Sequence, residues 1–102
     1  EGNGTMLDNT IIVYTSDNAA NHHSFGLDWP MIVLGNAGGA LKSNGRYLAY
    51  PRYGTPNHNH TICNCFTTLC HVAGVPQDFF AHPDMALGKP ENQHGPLTEL
   101  IA

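Results

Sequence analysis

Asp17, Asn18, His22 and His23 all fall in the short stretch that directly follows the run "NTIIVYTS". A carboxylate with an amide oxygen suits a hard cation such as calcium or magnesium, whereas a carboxylate with imidazoles suits zinc, iron or manganese. Ligands of open α/β sheets bind in the crevice beyond the carboxyl ends of the strands, which is where Asp17 would stand if the apolar run is a strand. An Asp-Asn pair after a strand is also a turn former, because both side chains hydrogen-bond their own backbone. On the residues alone both readings stand.

Other residues of chemical type form weaker patterns. His58 and His60 spell "HNH", but three letters without the hairpin and helix of the nuclease that shares the spelling carry little information. "CFTTLCH", Cys65 to His71, resembles a widened haem c attachment pattern, with four residues between the cysteines in place of two. A cysteine on a helix whose apolar side includes Phe66 and Leu69 otherwise acts as a small hydrophobe. Gly35, Gly38, Gly39 and Gly45 precede no helical pattern and so form no phosphate-binding loop. No serine has the surroundings of a nucleophile elbow.

The elements that must position these groups are few. Ile11, Ile12, Val13 and Tyr14 are consecutive large residues without alternation, which predicts a strand buried on both faces. "WPMIVLG" predicts a second buried strand, with Pro30 near its start where a missing ladder donor is tolerated. Asn44-Gly45 predicts a turn. From Thr61 to Ala73 the apolar residues Ile62, Phe66, Leu69 and Ala73 take helical spacing, with Gly74 as the stop and Pro76 beyond it. The remainder is rich in proline and should wrap over the surface, anchored by Phe79 and Phe80. The order is that of an α/β or α+β fold, yet two strands and a helix make a thin core.

Totals narrow the function. A chain of 102 residues has the size of one small domain or part of one. Its four basic residues and net charge of -4 supply no positive stripe for phosphates, which argues against nucleic acid as a partner. No apolar run approaches the roughly 20 residues of a membrane span, and the start of the chain has no signal-peptide pattern. The three cysteines, an odd number, predict no disulfide framework.

Three segments carry a resemblance. "NTIIVYTSDN" is similar to the part of sulfatases and related members of the alkaline phosphatase superfamily in which a strand ends in Thr-Ser-Asp-Asn or Thr-Ser-Asp-His. "DWPMIVLGNAGG" resembles the strand that follows, and "TTLCHVAGVPQD" resembles a later helix of those enzymes, in the same order. Nearly the whole chain is similar to the carboxyl-terminal portion of secreted bacterial proteins of unknown function with that fold. The resemblance implies an α/β fold, the carboxyl-terminal part of an alkaline-phosphatase-like, sulfatase-like sandwich with a central mixed sheet. Residues 1–102 would be one segment of that domain, with the remainder of the chain upstream as its partner.

The resemblance also implies a divalent metal ion, calcium, zinc or magnesium, ligated by Asp17 and Asn18, with His22 and His23 in a loop that varies between branches of the superfamily. Ala19 departs from the family's usual glycine, and the nucleophile would lie upstream. The implied function is metal-dependent hydrolysis of small sulfate or phosphate esters in a periplasmic or secreted protein. A noncatalytic structural or interaction module keeping the fold is the second reading, since a fold does not fix a function. A covalent haem carrier through Cys65, Cys70 and His71 is the third.

Overall fold

In a computed structural model, residues 2–17, 28–43, 45–51, 60–82 and 90–102 are described. The chain divides into two compact units, Glu1–Arg46 with Ala102, and Tyr47–Ile101.

In the first unit a short 3-10 helix, Met6–Asn9, leads into strand β1, Ile12–Thr15, which pairs antiparallel with β2, Met31–Leu34. The register sets Ile12 opposite Leu34 and Thr15 opposite Met31. Thr5 caps the 3-10 helix, because the Asp8 carboxylate accepts both the Thr5 N–H and the Thr5 hydroxyl. Those two bonds hold the exposed Asp8 carboxyl below its ordinary pKa, the backbone bond being the larger cause.

Both strands form where the β-branched run predicts them, but the expected two-sided burial of β1 is not what is found. All four β1 residues are exposed, and on β2 exposure alternates, with Ile32 and Leu34 outward. Among the described residues each strand has one hydrogen-bonded neighbour, so the ladder covers one edge of each, and only the face of β2 that carries Met31 and Val33 is partly covered.

After β2 the chain reverses through "GNAGG". Gly35 has φ +89, and a Cβ there would overlap the Thr10 carbonyl oxygen, so the backbones at the entrance of β1 and the exit of β2 approach too closely for any side chain. Ala37, Gly38 and Gly39 then follow one another at positive φ. This left-handed run closes on itself: Gly39 and Leu41 N–H both donate to the Asn36 carbonyl, at 3.1 and 2.9 Å, while Gly38 N–H donates to Asp8 O. The amides that a phosphate would need are consumed by the chain's own carbonyls. Ala102 N–H adds a bond to Ala40 O at 3.0 Å. Of the expected Asn44-Gly45 turn, Gly45 is found at φ +61, donating to Ser43 O at 2.7 Å, and Asn44 lies outside the described residues.

The second unit is built on helix α1, Ile62–Val72. Thr61 caps its start, and Asn64 Oδ1 accepts the Thr61 N–H at 2.8 Å. Its end is a Schellman motif: Gly74, at φ +78, donates to His71 O at 3.1 Å, and Val75 N–H donates to Cys70 O at 2.9 Å. Gly74 and Pro76 therefore stop the helix as the sequence predicts.

The buried face of α1 differs from the apolar one. Asn64, Thr67, Thr68 and Val72 are buried, while Ile62 and Ala73 are exposed and Phe66 and Leu69 half-buried. The cause lies in the segment from Gln93 to Leu97, which has no ladder of its own. Buried backbone groups without regular structure need side-chain partners. Asn64 Nδ2 donates to His94 O and Gly95 O at 3.1 and 3.0 Å, and the Thr68 hydroxyl accepts the Leu97 N–H at 2.7 Å. Gln93 and Leu97 are themselves buried. Phe79 and Phe80 anchor the stretch after α1 through ring contacts, Phe80 with Phe66 at 5.1 Å and Phe79 with His94 at 5.0 Å between centroids.

Candidate metal-binding strand end

Asp17 stands two residues beyond the end of β1, exposed to solvent. Just before it, the last residue of β1, Thr15, makes two side-chain hydrogen bonds. The Thr15 hydroxyl donates to the Pro30 carbonyl at 2.7 Å and accepts the Trp29 indole N–H at 2.7 Å, so its donor and its acceptor capacity are both engaged. These bonds tie the exit of β1 to the entrance of β2 across the intervening loop. The backbone turns sharply at Asp28, immediately before Trp29, with φ +54. An aspartate tolerates that left-handed conformation better than most residues.

Of the four expected metal ligands, Asp17 is described, while Asn18, His22 and His23 lie outside the described residues. The Asp17 carboxylate is a hard oxygen donor suited to calcium or magnesium and equally acceptable to zinc, so it fits as one ligand of the implied ion. Among the described residues no group of three or more His, Cys, Asp or Glu could hold a metal ion.

The cysteine segment is occupied by local packing. Cys63, Cys65 and Cys70 form no disulfide among the described residues and are half-buried, where the sequence favours core positions. Burial raises the pKa of the Cys65 thiol, which keeps it protonated. Gln77 holds the two ends of "CH" apart in role: its side-chain amide donates to Cys70 Sγ at 3.0 Å, and its carbonyl lies 2.9 Å from His71 Nε2. Of the "HNH" histidines, His60 stacks edge-on against Tyr50 at 4.8 Å, and His58 lies outside the described residues. The Tyr50 hydroxyl in turn donates to Glu99 Oε1 at 2.6 Å.

Sequence reasoning did not find Thr15 or Trp29. The signal was a hydroxyl residue closing a β-branched run and an indole donor just before the next strand, but their meeting depends on strand register. No helix among the described residues is long and apolar enough to cross a membrane. No protein-family model, curated protein or solved structure matches the chain.

Proposed function

We propose that this chain is the carboxyl-terminal part of a metal-dependent hydrolase of sulfate or phosphate esters, with an alkaline-phosphatase-like α/β sandwich completed by upstream sequence. Asp17 is a ligand of its divalent cation, and Asn18, His22 and His23 are the further donors offered by the same loop. The observation that supports this best is positional: Asp17 follows a strand whose last residue is tied down by two side-chain bonds. A bound cation would stabilise negative charge developing on the transferred group and lower the pKa of an oxygen nucleophile. The chain's own part is to present the Asp17 carboxylate at a constant place on the rim. The "TSDN" resemblance supplies the reaction class, and the export of similar proteins supports a periplasmic or secreted location.

The exposed apolar side chains on both strands favour a second reading, a noncatalytic interaction module that keeps the fold. Assay of the protein with its upstream portion on aryl sulfates and aryl phosphates separates the two. Hydrolysis that a chelator abolishes and added cation restores is the expected result. Metal binding without turnover of either ester class favours the module.

A further inference from the structure

We infer that Thr15 and Trp29 are positioning residues for the Asp17 carboxylate, an inference that rests on the metal-ligand reading of Asp17. The Thr15 hydroxyl, at the exit of β1, bonds two groups at the entrance of β2 on the far side of the loop, donating to Pro30 O and accepting the Trp29 indole N–H. β1 is exposed along its whole length, so packing does little to keep its last residue from fraying. A metal ligand must be held to within about 0.5 Å of its productive place, and supporting hydrogen bonds outside the ligand shell provide such placement. In this chain the Thr15 bonds bear on the ligand along the backbone from Thr15 to Asp17. Loss of the Thr15 hydroxyl therefore lowers metal affinity by about ten-fold, the lower end of the range for outer-shell partners. Trp29→Phe keeps an aromatic ring, of smaller size, at this half-buried position and removes the N–H donor while Thr15 retains its bond to Pro30 O, so the effect there is smaller and of the same sign.

The test uses the protein with its upstream portion, titrated separately with calcium, magnesium and zinc salts, with thermal unfolding recorded on the metal-free forms. Thr15→Val removes the hydroxyl at nearly constant shape, and Thr15→Ser restores it. The expected result is about ten-fold weaker binding for Thr15→Val, recovery in Thr15→Ser, and little change in metal-free melting temperature. Asp17→Ala is the control for the underlying reading. If Asp17→Ala abolishes binding while Thr15→Val and Trp29→Phe bind as the unaltered protein does, the positioning role is overturned and the ligand stands. If Asp17→Ala leaves binding unchanged, the ligand assignment fails and the positioning role with it. Should Thr15→Val fail to fold, Trp29→Phe decides the question by the same titration.

Discussion

The two units of this chain differ in the side chains that stand at their extremes of exposure. In the first, large apolar residues stand exposed: Tyr14, Ile32 and Leu34 on the strands, Met6 and Leu7 before them. In the second, the fully buried side chains are polar: Asn64, Thr67, Thr68 and Gln93. Backbone demand accounts for the contrast. The strands satisfy each other through a ladder that asks nothing of their side chains. The segment from Gln93 to Leu97 lacks a ladder and draws Asn64 and Thr68 inward to supply one. Residue polarity is thus a poorer guide to burial here than the question of which backbone groups need partners.

In the first unit the largest effect is expected at the closest backbone approach. Gly35→Ala places a methyl on the Thr10 carbonyl and forces a side chain into a left-handed conformation. It should cost about 4 kcal/mol in urea unfolding, at the upper end for single substitutions. A cost below about 1 kcal/mol would mean that the β1 and β2 ends are not held together as described.

In the second unit the equivalent lesion is polar. Asn64 uses both amide hydrogens on His94 O and Gly95 O and both acceptor sites on Thr61. Asn64→Ala strands several buried groups at once and should destabilise by about 3 kcal/mol. Amide hydrogen exchange should report it as early opening of the segment around Leu97, whose N–H bonds Thr68.

Thr67 sharpens the comparison by its opposite sign. Its hydroxyl is buried and has no hydrogen-bond partner among the described residues. Thr67→Val replaces that oxygen with a methyl of similar size and should stabilise the protein by about 1 kcal/mol. Thr68→Val, one residue on, should destabilise it, because the Thr68 hydroxyl is bonded on both sides.

The smallest expected effect is a pH dependence in the first unit. The Asp8 carboxyl titrates below its ordinary value because it accepts two bonds from Thr5. Its contribution is therefore complete above the unfolded carboxylate pKa and is lost as pH falls through the lowered folded value. Asp8→Asn should lower stability slightly at neutral pH, flatten the acid limb of the profile, and leave stability nearly unchanged at pH below the lowered folded value.

Element positions were largely legible in the sequence. Thr61, Gly74 and Pro76 bracket α1, and the β-branched runs locate both strands within a residue or two. Burial was not legible, and the reason is the same in both units. Four apolar residues in a row read as a central strand, yet the number of neighbours a strand acquires is not written in its own residues. Asn64 and Thr68 fall outside the apolar spacing of Ile62, Phe66, Leu69 and Ala73, and the partners that bury them lie about thirty residues later in the chain. Asp17 was legible as a strand-end carboxylate, whereas the Thr15, Trp29 and Pro30 bonds that hold its strand end required the antiparallel register.

The central claim is that Asp17 ligates a divalent cation, and the metal content of the purified protein with its upstream portion tests it most directly. Elemental analysis of the unaltered protein should find calcium, zinc or magnesium near a whole-number stoichiometry. Asp17→Ala should lose that metal while keeping its circular dichroism spectrum, because Asp17 is exposed and lies beyond the last residue of β1. Unchanged metal stoichiometry in Asp17→Ala would contradict the claim and leave Asp17 as a turn-forming residue at the end of β1.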